Sequence, residues 1–250
     1  MKEAIVRKDT SVDIVDSPIP KPGPGYVLIK VSQSLLLDHF LLAWPSPASD
    51  WKLPIFLGCE MNAGDDISGI VEAMGENVVG FHKGDCVAAF HEMTTSHGAF
   101  AEYAIAPYYT TFHIPDSASF EEAATIPLAA YTSACALFQE LEFPEPWSAR
   151  AKAAGKESIK HPLIIYGEST ATGAFAIKLP AAANIHPIIT IGSKRSEFIK
   201  PFLDENKGCL LLSSMAFHRI RTLRMACWFG FHPYVTNILR KTGPFSFWIA

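Results

Sequence analysis

The residues best suited to chemistry lie between two apolar runs. Pro162-Leu163-Ile164-Ile165-Tyr166 leads into Gly167-Glu168-Ser169-Thr170-Ala171-Thr172-Gly173, then a helical pattern, then a second apolar run at 187–191. A glycine at such a junction lets the chain turn without a Cβ clash. The helix N-terminus then offers free N–H groups and a positive dipole end to an anion such as a pyrophosphate. The segment is not the G-x-G-x-x-G fingerprint, and a plain strand-to-helix turn is the alternative. The second run ends in Ser193-Lys194-Arg195, with no acid before Glu197. Dinucleotide folds use an acid there to hold a ribose 2′-hydroxyl and basic residues to receive a 2′-phosphate. The pattern therefore favours NADPH over NADH, with two surface cations at a helix start as the alternative.

Metal chemistry has less support. A structural zinc site needs four clustered ligands and a catalytic one three fixed ones. Residues 87–105 hold no Cys, and His91 and His97 stand six apart on an expected loop, where a surface role is the simpler assignment. The five Cys (59, 86, 135, 209 and 227) are odd in number, widely spaced and without a C-x-x-C. They read as reduced thiols in a cytosolic protein rather than as a disulfide framework.

Positioning such a turn requires a parallel α/β unit, and the pattern from Ser119 onward supplies its beginnings. SFEEAATIPLAAYTSACALFQEL is alanine-rich with an acidic first turn, Ser117 or Ser119 as N-cap, and Pro127 dividing it into two helices. Residues 143–162 are polar and Pro-containing and read as a connector. Strand, glycine turn, helix and strand then open a doubly wound parallel sheet. The first third differs. Short β-rich runs at 3–7, 12–15, 26–32, 67–73 and 86–90 are separated by Gly and Pro, which suggests a small antiparallel barrel.

The chain's 250 residues are 49% hydrophobic and carry a net charge of −4, which excludes global disorder and argues against a basic nucleic-acid binder. No 18-residue apolar stretch or signal-like N-terminus is evident, so a soluble cytoplasmic protein is expected. Charge is uneven: residues 208–250 hold five basic and no acidic residues, with eight aromatics, whereas the first 207 carry a net −9.

Three segments carry a family resemblance: Gly69-Ile70-Val71-Glu72-Ala73-Met74-Gly75, then Gly84-Asp85-Cys86-Val87, then Gly98-Ala99-Phe100-Ala101-Glu102-Tyr103. With Ile114-Pro115-Asp116 and Tyr131-Thr132-Ser133-Ala134, they resemble the signatures of the medium-chain dehydrogenase/reductase superfamily, in order and spacing. The branch looks like the fungal zinc-independent reductases related to polyketide trans-acting enoyl reductases. The resemblance implies a GroES-like β-barrel domain over 1–115, a partial NADP-binding Rossmann-type doubly wound sheet with linking helices over 116–207, and a tail at 208–250 without family likeness. It implies NADPH-dependent reduction of an activated C=C, in an enoyl thioester or enone. A quinone or alkenal reductase and a catalytically inactive member are the alternatives. The substrate would be a small molecule or carrier-bound acyl chain, with a polyketide synthase as partner.

Site residues follow from the same resemblance. Thr132 is expected against the nicotinamide, and Asp38 along the cleft. Gly167, Ser169, Thr170, Ala171, Thr172 and Gly173 are expected at the phosphates, and Ser193, Lys194 and Arg195 at the adenosine end. No general acid is assigned; Tyr131 is a candidate, with a packed aromatic as the alternative. No metal is expected: Cys59-Glu60 stands near the family's Gly-His-Glu, but leucines occupy the 34–40 region where a first ligand would lie.

Several features depart from the family pattern. Leu35-Leu36-Leu37-Asp38 replaces Asn-Pro-x-Asp, and residues 60–65 look like an insertion. Glu168 stands where a small residue is usual and would repel a pyrophosphate. Pro180 falls inside the expected helix. After Lys207-Gly208 the likeness stops with about two parallel strands in place. A shifted reading frame or mispredicted exon is the expectation for the tail, and a cap seeking a membrane surface the alternative.

Overall fold

The computed structural model describes residues 1–7, 11–35, 62, 64–93, 95–154, 159–192, 196–213 and 246–249. Asp38, Cys59, Glu60, Ser193, Lys194, Arg195 and most of the tail lie outside them. The chain forms two compact units, Met1–Leu128 and Ala129–Ala250.

The first unit is a GroES-like antiparallel assembly. β1 (Lys2–Val6) and β2 (Val12–Asp16) pair as a hairpin. A five-stranded sheet joins β3 (Tyr26–Leu35), β4 (Asp66–Met74), β5 (Cys86–Phe90), β6 (Tyr103–Pro107) and β7 (Thr111–His113) in the order β6-β3-β4-β5-β7. β1 to β5 fall within a few residues of the expected runs, and β6 and β7 were not among them. Alternation buries Val27 and Ile29 of β3, Ile67 and Val71 of β4 and Val87 and Ala89 of β5 in one core. Of the segment that looked like an insertion, Asn62 is buried; it donates to Gly98 O at 2.9 Å and accepts from Gly64 N and Phe100 N.

Pro127 divides the helical run as expected. α1 (Phe120–Ala124) opens with a capping box in which Ser119 Oγ accepts from Glu122 N and Glu122 accepts from Ser119 N. α2 (Pro127–Ala134) places Pro127 at its first position, where a missing N–H costs nothing. The helix then widens into a π segment over Cys135–Glu140.

The second unit carries a parallel sheet of β8 (Ile159–Tyr166), β9 (Ile185–Gly192), β10 (Leu210–Ser213) and β11 (Ser246–Ile249). α3 (Ala149–Ala154) forms inside the stretch expected to be a connector, where Ala-rich ARAKAA outweighs the flanking prolines. α4 (Ala171–Ala182) follows β8 and packs Ala176 and Ile177 into a core with Leu163, Ile165, Ile185 and Ile188. α4 runs on to Ala182 with Pro180 inside it, so the proline removes one backbone bond near the helix end without ending the helix.

Two parallel strands, β8 and β9, precede Gly208 as expected, and the tail adds two more that its sequence did not announce. The order β10-β9-β8-β11 is, in sequence terms, third-second-first-fourth, the arrangement that begins a doubly wound dinucleotide sheet. Both added strands come from the region after Gly208. Their four-residue lengths gave no period to recognise, and their place is set by pairing with β9 and β8.

Candidate functional site

The turn from β8 into α4 is built from local rules. Gly167 has φ +88°, which suits glycine, and its N–H donates to Ile191 O on β9 at 3.2 Å. Thr170 is extended at φ −76°, ψ 160°, and its Oγ1 accepts from Gly173 N at 2.9 Å, capping α4. A Cβ on Gly173 would stand 2.2 Å from Gly167 O, so only glycine lets helix and turn approach this closely. Thr170 N donates to Gly167 O at 3.1 Å and Ala174 N to Thr170 O at 3.0 Å. The helix start thus leaves the N–H groups of Ala171 and Thr172 as those an anion could take. Ser169, Thr170 and Ala171 are exposed, so the turn is open to a ligand. A cradle that a Cβ would fill, at a capped helix end, fits a pyrophosphate.

A second element braces this turn. Ser133, fully buried on α2, lies with its Oγ 2.7 Å from Thr172 O and 2.9 Å from Ala129 O, positioned to donate to either. α2 is therefore fixed against the first turn of α4, which brings Thr132 and the phosphate turn into one unit. Thr132 is half-buried, while Tyr131 is 50% exposed, more open than a packed aromatic.

Glu168 does not stand over the helix N-terminus as its place in the turn suggests. Its side chain runs sideways to the end of β9, where its Oε1 lies 1.4 Å from where a Cβ on Gly192 would sit. The residue is fully buried, and neither carboxylate oxygen has a hydrogen-bond partner among the described residues. The feared repulsion of a pyrophosphate is moved to the strand end.

The first unit holds another buried acid. Asp66 begins β4 and is 1% exposed; its Oδ1 accepts from Leu128 N at the start of α2 at 2.7 Å, while Oδ2 has no partner among the described residues. Burial pushes its pKa up to about 7, the Leu128 N–H pulls it down, and Asp65 pushes it up further.

His91 is a correction to the expected surface role. It is buried, with Nδ1 2.6 Å from Ile105 O and Nε2 within reach of Thr95 O and Oγ1. Both ring nitrogens serve the loop. Among the described residues no three His, Cys, Asp or Glu side chains gather as a metal site. Sequence reasoning missed Asp66 and Ser133. Asp66 leads an Asp-x-x-Gly motif, and Ser133 sits beside Thr132, but their partners come from 62 and 39 residues away.

Residues 23–116 match the alcohol dehydrogenase GroES-like domain. The trans-enoyl reductase fsr4 of Gibberella fujikuroi is 41% identical over 214 residues, covering 85% of this chain and 59% of that protein. The chain belongs to the medium-chain dehydrogenase/reductase superfamily. The trans-enoyl reductase resD of Aspergillus sclerotiorum is 35% identical over 182 residues, covering 69% of this chain and 48% of its own. This superfamily member thus spans about half to three-fifths of the length of these curated relatives. Solved structures share its fold. CurK enoyl reductase matches with a TM-score of 0.66 at 15% identity over all of this chain and 80% of its own. A mycobacterial protein complexed with NADPH matches with 0.56 at 21% identity over 85% of this chain and 58% of its own. Among the described residues no helix is long and apolar enough to cross a membrane.

Proposed function

We propose that the chain serves the reduction of an activated C=C, in an enoyl thioester or enone, with NADPH as hydride source and without zinc. The carrying observation is the capped glycine turn, where Gly173 packs on Gly167 and Thr170 caps α4, next to 41% identity with a trans-enoyl reductase. The basic pair Lys194-Arg195 after β9 supports NADPH over NADH. A trans-acting relationship suits a carrier-bound acyl substrate presented by a polyketide synthase.

The nicotinamide supplies the hydride when bound. The chain's own residues orient and enclose it. Gly167 and the segment Ser169–Gly173 receive the phosphates on the α4 N-terminus. Ser133 locks α2 to that turn, so that Thr132 is held for the nicotinamide. Asp38 is proposed for the substrate side, and Tyr131 on α2, 50% exposed, is the candidate to offer a phenolic proton to substrate. Orientation in an enclosed cleft then accounts for much of the rate.

Fluorescence titration of the purified chain with NADPH, and with NADH alongside, tests the cofactor assignment. Saturable NADPH binding that Gly173→Val abolishes, with the far-UV spectrum unchanged, is the expected result. Binding that survives Gly173→Val would remove the turn from the site. A panel of carrier-bound and free enoyl thioesters then separates a trans-acting reductase from one that acts on free enones.

A further inference from the structure

We propose that Glu168 reads the adenosine ribose of the dinucleotide, accepting from its hydroxyls and opposing a 2′-phosphate, so that the site takes NADH alongside NADPH. This rests on the dinucleotide assignment made above and refines it.

Three observations carry it. The carboxylate is fully buried, with neither oxygen partnered among the described residues. Buried polar groups in folded proteins are hydrogen-bonded with few exceptions, and an ionised carboxylate is acceptor-only, so what this group lacks is a donor. Its location is the carboxyl end of the parallel sheet. Glu168 follows β8 by two residues, and its carboxyl fills the space a Cβ on Gly192 would need at the end of β9. Open α/β sheets bind their ligands outside the carboxyl ends of the strands, with the ribose at the end of the second strand. The turn beside it carries the geometry for the phosphates.

In sequence the end of β9 has no acid before Glu197. In space an acid is there, delivered from the glycine turn 24 positions earlier. A ribose diol offers two hydroxyl donors to two acceptor oxygens. A 2′-phosphate brings negative charge instead, against a carboxylate in low dielectric where like charges repel most strongly. The basic pair that follows β9 in sequence argues for the phosphorylated cofactor, and Glu168 argues against it.

Wild type, Glu168→Gln and Glu168→Gly are titrated by fluorescence with NADH and NADPH, and by calorimetry with AMP and adenosine 2′,5′-bisphosphate. These two fragments report on the adenosine end alone. Thermal melts accompany each variant, and the glycine variant serves if the glutamine amide disturbs packing. The expected result is a shift of at least tenfold toward NADPH in the ratio of the two dissociation constants, matched by the fragment pair. A ratio unchanged within twofold in the variants that melt cooperatively, while wild type binds dinucleotide, overturns the role of Glu168 and leaves the dinucleotide assignment standing. Failure of wild type to bind any of the four ligands overturns both.

Discussion

Asp66→Asn should flatten the pH dependence of stability, and the size of the effect follows from where the carboxyl sits. The folded chain holds its proton up to about pH 7, against 3.8 in the unfolded chain. Below 3.8 both states are protonated, and above 7 neither is. Between those values only the folded state binds the proton, so stability falls as pH rises, by about 1.4 kcal/mol per pH unit. Over the whole window the loss is about 4 kcal/mol, and about 2 kcal/mol of it falls between pH 5.5 and 7. Burial therefore favours the neutral carboxyl by more than the Leu128 N–H favours the ionised one, and ionisation above about pH 7 works against the fold.

Asparagine keeps an oxygen for Leu128 N and cannot ionise. It places an amide N–H where Oδ2 lacks a partner, at a roughly constant cost of about 1–3 kcal/mol. Urea unfolding of both proteins at pH 5.5, 6.5, 7.5 and 8.5 provides the comparison, with Asp65→Asn as the control for the neighbouring charge. The variant should gain about 2 kcal/mol relative to wild type from the lowest pH to the highest. Parallel stability curves would refute the reasoning, since they would mean that Asp66 does not hold its proton in the folded state.

Thr170→Ala removes the α4 cap and should cost about 1 kcal/mol in urea unfolding, while weakening NADPH binding in fluorescence titration because the turn loses its shape. Ser133→Ala frees Thr172 O and should raise the NADPH dissociation constant with a smaller loss of stability than Thr170→Ala; an unchanged constant would show that α2 does not position the turn. Gly192→Ala puts a Cβ where the Glu168 carboxyl lies and should cost about 1–3 kcal/mol by overpacking. The same change made on Glu168→Gly should cost much less, and a double-mutant cycle in urea reads that coupling.

What the sequence disclosed was what neighbours along the chain decide. Pro127 marks the break between α1 and α2 because the N–H that proline lacks is dispensable at a helix start, and Ser119, one of two N-cap candidates in the sequence, caps α1. Gly167, Thr170 and Gly173 mark the turn because its hydrogen bonds close within seven residues. The direction of Glu168 was not legible. Its rotamer is decided by the missing Cβ of Gly192 on the adjacent strand, so a residue expected to face the phosphates faces the strand end. Asp66 was hidden for the same kind of reason, since the N–H it caps belongs to a helix 62 residues further on. His91, assigned to the surface by its place on an expected loop, is buried because Ile105 and Thr95 supply the oxygens its ring needs. β10 and β11 are the clearest case: four residues give no period, and only the edges of β9 and β8 make them strands. The candidate site is thus divided between two kinds of information. The glycine turn proposed for the phosphates is local and could be read, whereas the contact between the Glu168 carboxyl and Gly192 is tertiary, and no spacing along the chain encodes it.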